Sequence, residues 1–319
     1  AGSVALLLQA KPKTNAEVVR GLLQNSADPK VWWGNPSLGA LDNVHRQGAG
    51  MLDVVGAVTS TTSVEPSKIA AGEGQAGPFA QLLTIENKGS APVTYNLSSV
   101  NAQSTGANTF TPSFSTSDAS VAFSAASVVV PANGAATFTA TINPATAPVG
   151  GQYGGYIVLT DASDAAKALR VPFAGYIGDY QARLVLVPTV NEFPWLAQLV
   201  GSSYFNRPDG ATYTMTGDDI PFFLVHFDHQ SRLFRVEIFA QGGKAWHRAY
   251  SEEYMPRNST STSFFAFPFD GYTVAGNKLY EVPDGSYYAL LSVLKANGDP
   301  DNPAHWESWT SPTFVIDRP

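Results

Sequence analysis

Three hydrophobic patterns follow one another along the chain. Over residues 1–60 the apolar positions recur at helical spacing, which predicts three short helices separated by breakers. The first runs from Ser3 to Gln9 and stops before Pro12, which cannot continue a helix. The second opens at Thr14-Asn15-Ala16-Glu17, a Thr-x-x-Glu capping box, and carries Val18, Val19, Leu22 and Leu23 on one stripe. The third holds Met51, Leu52, Val54, Val55 and Val58. The first helix differs from the others. Val4, Ala5, Leu6, Leu7, Leu8 and Ala10 make it apolar nearly all round, as in helices that lie inside larger cores. Too few residues accompany it to enclose it.

Over residues 61–180 the period changes to two. Val93 to Ser98 and Thr137 to Ile142 alternate apolar with polar, as on half-buried strands. Leu169, Val171 and Phe173 mark another strand, and Asn87-Lys88-Gly89-Ser90 reads as a hairpin connection. Residues 181–319 form a further β-unit, richer in aromatics. There Phe234, Val236 and Ile238 share one face while Arg235 and Glu237 share the other. Tyr287 to Leu294 reads as a strand covered on both faces. The predicted fold is mainly β: two immunoglobulin- or fibronectin III-like sandwiches preceded by a short helical segment.

Composition agrees with packed domains. Of 319 residues, 44% are hydrophobic and 14% charged, while 28 Gly and 22 Pro supply turns. A net charge of −7 argues against nucleic acid as a partner, since phosphate binding needs clustered Lys and Arg. Nor is there a basic amphipathic stretch suited to a membrane surface. The absence of cysteine excludes disulfides, thiolate metal sites and a cysteine nucleophile. Ala1 to Ala10 are too short to span a bilayer and lack a basic leader, so they read as the start of a fragment.

Two stretches carry a family resemblance. Ala1-Gly2-Ser3-Val4-Ala5-Leu6-Leu7-Leu8 is similar to the end of the serine motif of subtilisin-like proteases, Gly-Thr-Ser-Met-Ala-x-Pro-x-x-Ala-Gly, and the buried helix after it. Gln47-Gly48-Ala49-Gly50-Met51-Leu52-Asp53, followed by Val54 to Val58, resembles the Gln-Gly-x-Gly turn into that domain's last helix. Further on, Arg170-Val171-Pro172-Phe173-Ala174-Gly175-Tyr176 resembles the Val-Pro-Phe-x-Gly strand of the fibronectin-type modules in large secreted subtilases. Asp299 to Trp306, with Ser311 to Phe314, is similar to the closing strands of their last module.

The resemblance implies the C-terminal, non-catalytic part of a secreted, extracellular subtilisin-like serine endopeptidase. Residues 1–60 would be the last helices of the catalytic domain. Residues 61–180 and 181–319 would be sandwiches that stabilise it or position protein substrates. The expected partners are the missing N-terminal half of the same protease and its protein substrates. The family's Asp, His, oxyanion Asn and Ser all precede the portion matched, and Ser3 follows the motif's Ala-Gly. No catalytic residue is therefore assigned, and the chain alone is expected to be inactive. Calcium, which such proteases often bind, is a weaker expectation, because no recognisable calcium loop is present. No other cofactor is expected. The alternative is a free-standing binding protein, lectin-like or protein-recognising.

Other candidate chemistry is sparse. His226-Phe227-Asp228-His229 is the single cluster of metal-ligand residue types. On a straight strand His226 and Asp228 share a face and His229 points away, so a structural role is preferred and no metal ligand is assigned. His45, His247 and His305 are scattered. Neither Gly-x-Ser-x-Gly nor a phosphate loop occurs. Asp218-Asp219 and Glu252-Glu253 read as solvated loop charges. Asn96-Leu97-Ser98 and Asn258-Ser259-Thr260 match the N-glycosylation pattern, and both asparagines are candidate glycan sites. Phe264 to Phe269, Trp246, Trp306 and Trp309 are read as core, with stacking on sugars as their functional alternative.

Overall fold

The computed structural model describes residues 1–319 and divides the chain into two compact units, Ala1–Tyr180 and Gln181–Pro319. Both are β-sandwiches, and the chain as a whole is mainly β. No helix is long and apolar enough to cross a membrane.

The first unit begins with four helices: α1 (Gly2–Ala10), α2 (Ala16–Ser26), α3 (Val44–Gln47) and α4 (Val54–Thr59). Eleven strands follow: β1 (Thr62–Glu65), β2 (Ile69–Glu73), β3 (Phe79–Asn87), β4 (Val93–Asn101), β5 (Gln103–Thr105), β6 (Phe114–Thr116), β7 (Ser120–Phe123), β8 (Ser127–Val130), β9 (Gly134–Asn143), β10 (Gln152–Asp161) and β11 (Ala168–Tyr176). One sheet has the order β1-β3-β9-β7, the other β2-β11-β10-β4-β8, and β5-β6 form a separate ribbon. The alternation read in the sequence is what fills the gap between the sheets. Leu83, Ile85, Phe138, Ala140 and Ile142 meet Tyr95, Ile157, Leu159, Val171 and Phe173 in a single buried cluster.

Three sequence expectations are corrected here. Asn87 to Ser90 is not a hairpin, because β3 pairs with β1 and β9 while β4 pairs with β10 and β8. The turn instead carries the chain from one sheet to the other. Asn87 holds this crossing, accepting the Gly89 amide (2.8 Å) and donating to the carbonyls of Ala91 (2.8 Å) and Pro131 (3.1 Å). The Thr14 capping box does not form either; Asn15 occupies the N-cap of α2, with no side-chain cap bond. Finally, Met51 and Leu52 lie outside any helix. Met51 instead exchanges backbone hydrogen bonds with Asp28, and Asp53 caps α4 by accepting the Gly56 amide (2.8 Å).

The helical segment is fixed to the outside of this sandwich. Strand β10 points Ile157 and Leu159 inward, so Tyr156 and Val158 face outward, where they pack with Val44 and Leu41. The Tyr156 hydroxyl donates to the Gly48 carbonyl (2.8 Å). Gly154 admits this contact, because a β-carbon there would lie 2.9 Å from the Val44 side chain and 2.6 Å from the Phe173 carbonyl.

The second unit contains β12 (Trp195–Val200), β13 (Ser203–Asn206), β14 (Ala211–Tyr213), β15 (Phe222–Val225), β16 (Ser231–Ala240), β17 (Ala245–Glu253), β18 (Phe265–Pro268), β19 (Tyr272–Ala275), β20 (Lys278–Glu281), β21 (Gly285–Lys295), β22 (Trp306–Thr310) and β23 (Phe314–Ile316). A sheet ordered β13-β12-β15-β18 faces a larger one ordered β14-β23-β21-β16-β17-β19-β20, with β22 pairing β21. Phe234, Val236 and Ile238 are buried together as their spacing predicts, against Leu196, Phe223, Val225 and Leu291. Strand β21 departs from the sequence reading. Tyr287, Ala289, Leu291 and Val293 are buried, whereas on its other face Tyr288, Leu290 and Ser292 are half-buried and only Leu294 is buried as well.

Candidate functional site

The chain's most unusual surface lies on the helical segment. Helix α1 buries only Leu7, which is 0% exposed and packs with Leu22 and Ala57. Its neighbours Leu6 and Leu8 are 55% and 37% exposed. The same segment leaves Val31, Trp33, Leu38, Met51, Leu52 and Val55 exposed, giving eight large apolar side chains at the surface with Leu6 and Leu8. Single exposed apolar residues are ordinary, but on α1, which packs on α4, the exposed Leu6 and Leu8 leave an apolar helix face open to another apolar surface. The all-round apolar pattern of α1 is therefore not satisfied within the chain. The arrangement is suited to association with an apolar partner.

The backbone that presents this surface is rigidly built. Gln47 ties two stretches of irregular chain to α3: its Oε1 accepts the Lys30 amide (2.9 Å) and its Nε2 donates to the carbonyls of Lys30 (3.2 Å) and Asp42 (2.8 Å). Gly50, at φ +115°, passes so close to Asp28 that a β-carbon would sit 2.5 Å from its carbonyl carbon. Asn43 is fully buried; it caps α3 by accepting the His45 amide (2.9 Å) and donates to the Gln103 carbonyl (2.7 Å). Lys11 ends α4, its ammonium donating to the carbonyls of Ala57 (3.3 Å) and Ser60 (2.5 Å).

The His226-Phe227-Asp228-His229 cluster folds differently from a straight strand. Strand β15 stops at Val225, and the Asp228 amide donates to the Val185 carbonyl (2.9 Å). The resulting bend brings both rings to one carboxylate, with His226 Nε2 3.7 Å and His229 Nε2 3.5 Å from Asp228. The expectation that His229 points away from Asp228 is thus overturned. One nitrogen of each ring is hydrogen-bonded: His226 Nδ1 donates to the Ser263 carbonyl (2.6 Å), and Arg183 donates to His229 Nε2 from Nε (3.2 Å) and Nη2 (3.1 Å). Burial, and then the Arg183 guanidinium, lower the His229 pKa, so the ring is neutral and accepts these bonds. No group of three or more His, Asp or Glu side chains is placed to hold a metal ion.

The two glycosylation candidates part company. Asn96 is exposed on β4, opposite Ser127 and Thr160. Asn258 is 2% exposed; its Oδ1 accepts the Phe227 amide (2.7 Å) and its backbone N–H donates to the Phe227 carbonyl (2.9 Å). A glycan on Asn258 would have to break that buried pairing, so the sequence pattern there does not mark an accessible acceptor. The acidic pairs serve turns and surface: Asp219 accepts from the Thr214 amide (3.0 Å) and from Gln198 (2.8 Å), while Glu252 and Glu253 are exposed.

The aromatics of the second unit are mostly internal. Phe227, Phe234, Phe265 and Phe267 pack ring to ring, and Phe269 is fully buried. Trp246, Trp306 and Trp309 are half-buried; Arg235 lies over Trp306 (5.3 Å), whose indole N–H donates to the Pro300 carbonyl (3.0 Å). Lys244 lies over Trp246 (4.9 Å), and Trp246 and Trp309 both pack against the buried core of the second unit.

No curated protein matches the chain. Among solved structures, the chain is similar to the class 5 fimbriae chaperone CfaA (7% identity, 78% of this chain, 98% of that one, TM-score 0.31). It is also similar to the Pseudomonas aeruginosa CupB2 chaperone (10% identity, 77% and 98%, TM-score 0.26) and to PapD-like domain 7 of human CEP192 (16% identity, 37% and 87%, TM-score 0.29). At such identities and scores these likenesses carry no functional argument. The match by sequence is more informative: residues 74–174 fit the family model of the Fn3-like domain, and the first sandwich is fibronectin III-like.

Proposed function

We propose that this chain is the C-terminal, non-catalytic portion of a secreted subtilisin-like serine endopeptidase. Its helical segment completes the protease domain, and its sandwiches stabilise that domain or position protein substrates. The observation that carries the reading is α1: a helix apolar nearly all round, of which only Leu7 is covered. Burying an exposed leucine is worth about 1.5–3 kcal/mol, so Leu6, Leu8 and Val55 together favour association with an apolar partner by several kcal/mol. The remaining half of an α/β protease domain is such a partner. The turn Gln47-Gly48-Ala49-Gly50 supports the reading independently, since each residue of the motif's fixed positions has a structural duty. Gln47 ties two stretches of chain to α3, Gly48 adopts φ +59° and its carbonyl receives Tyr156, and Gly50 tolerates no side chain.

On this reading the chain is extracellular, binds the catalytic half of the same protease, and cleaves nothing alone. Antibody raised against the chain should capture, from the culture medium of the producing organism, a species that a fluorophosphonate probe labels at an active serine. The chain produced alone should stay unlabelled. Capture of a native species that the probe never labels would sink the proposal.

A further inference from the structure

A cleft of about 320 Å³ opens in the first unit between the helices and the start of the sandwich. Its composition is lopsided. Lys11 and Lys88 both line it, Thr14, Thr61 and Ser63 add hydroxyls, and no carboxylate is among its walls. The floor is aliphatic, formed by Val18, Leu22 and Val58. In a chain of net charge −7, two ammonium groups in walls that contain no carboxylate are a conspicuous local excess of positive charge.

We propose that this cleft binds a carboxylate that carries an aliphatic side chain, as at the C-terminus of a peptide ending in leucine or valine. The volume falls at the lower end of small-ligand pockets, the size of a single residue rather than a cofactor. The pairing of a cationic wall with an aliphatic floor selects for both halves of such a ligand. A bare inorganic anion would leave the floor wet, and a neutral apolar group would leave the ammonium groups unanswered. Lys11 is held in place by the α4 carbonyls, so one cation is positioned before any ligand arrives, and the exposed Lys88 supplies the second. Burial, and then the Lys88 charge, lower the Lys11 pKa; an anion between them would relieve that repulsion. The site does not depend on the protease reading, because every wall belongs to this chain.

The test is a titration of the full chain with N-acetyl-leucine, N-acetyl-leucinamide and inorganic phosphate, followed by amide NMR shifts at Thr14, Thr61 and Ser63. N-acetyl-leucine should give saturable shifts with a Kd of about 1 mM, and the amide and phosphate should each bind at least about tenfold more weakly. Lys88→Met, which keeps the aliphatic stem but removes the charge, should weaken N-acetyl-leucine by a similar factor. Thr61→Val is the companion variant that leaves both lysines intact and should weaken binding less. Lys11 is not substituted, because it also ends α4. Equal binding of acid and amide would overturn the proposal, as would equal binding of phosphate, indifference to Lys88→Met, or shifts that never saturate.

Discussion

The side-chain oxygen of Asn25 accepts the amide of Val64 (2.8 Å), while its nitrogen donates to the carbonyl of Arg170 (3.2 Å). One buried amide on α2 thus pairs with strands β1 and β11, which belong to opposite sheets of the first sandwich. Removing it leaves a buried donor and acceptor unanswered, at about 1–3 kcal/mol for each group. Asn25→Ala should therefore lower the stability of the first unit by 2 kcal/mol or more, on the order of two such groups. Hydrogen exchange should speed up along residues 16–26 and 62–65 and stay unchanged beyond residue 181. Unaltered exchange there would show that the helical segment is held by other contacts.

Gly50 gives a second, more local prediction. An alanine there would combine a β-carbon 2.5 Å from the Asp28 backbone with a left-handed φ of +115°. Strain of this kind costs about 1–3 kcal/mol, and the neighbouring backbone must also move. Gly50→Ala should make residues 28–51 sensitive to limited proteolysis under conditions where the sandwiches resist it. Gly39, which shares a left-handed φ (+66°) but where a β-carbon meets nothing, is the control that separates the clash from the backbone strain.

Periodicity carried most of the strands. The inward residues of β9 and β16 were legible because alternate side chains of a strand must face opposite sides. Topology was not legible in the same way: Asn87 and Gly89 announce a reversal, but nothing local says whether the chain returns to its own sheet or crosses to the other. Thr14 and Glu17 have capping-box spacing, yet the helix begins at Ala16 with Asn15 before it, one residue past the motif's requirement. The exposure of Leu6 and Leu8 followed from an arithmetic the sequence does supply, too few residues for too apolar a helix. The neutral His229 did not follow, because its bend depends on Val185 and its charge state on burial in the folded unit and then on Arg183, both residues more than 40 positions away.

Burial separates the two matches to the glycosylation pattern. When the chain is secreted from a eukaryotic host, peptide mapping should find any N-glycan at Asn96 and none at Asn258. Asn258→Ala should cost about 1–3 kcal/mol through the abandoned Phe227 amide, whereas Asn96→Ala should fall within about 0.5 kcal/mol. A glycan on Asn258 in folded, secreted material would contradict the buried pairing.

Acid sensitivity should trace in part to His229. Burial, and then Arg183, lower its pKa below the ordinary 6.5, with Arg257 acting in the same direction and Asp228 opposing. The unfolded chain then binds this proton at a higher pH than the native one. The stabilisation is complete above about pH 6.5 and is lost as pH falls through the native pKa. His229→Gln should flatten the fall of unfolding free energy between pH 7 and 5 without removing it, because burial also lowers the His45 pKa. An NMR titration placing the His229 ring at or above 6.5 would remove the basis for the effect.

Leu6, Leu7 and Leu8 test the apolar face by adjacent substitutions of the same residue type. Leu7 packs against Leu22 and Ala57, so Leu7→Ala should cost about 2–5 kcal/mol through lost burial and the cavity left behind. Leu6→Gln and Leu8→Gln keep good helix formers at exposed positions and should change stability by no more than about 0.5 kcal/mol each. The double variant should also bind less of a hydrophobic dye and stay soluble at higher concentration, since a sticky surface has been made polar. In the assembled protease of the proposed function the two glutamines are no longer neutral. There the same two glutamines would sit in a closed core, and each would have to bury an amide without a partner, at about 1–3 kcal/mol. Loss of the chain's association with its catalytic half, with the isolated chain still fully folded, is the signature expected of a face made to be covered. If instead the two glutamines unfold the isolated chain as readily as Leu7→Ala does, these side chains already have their partners within it, and the face is not a docking surface.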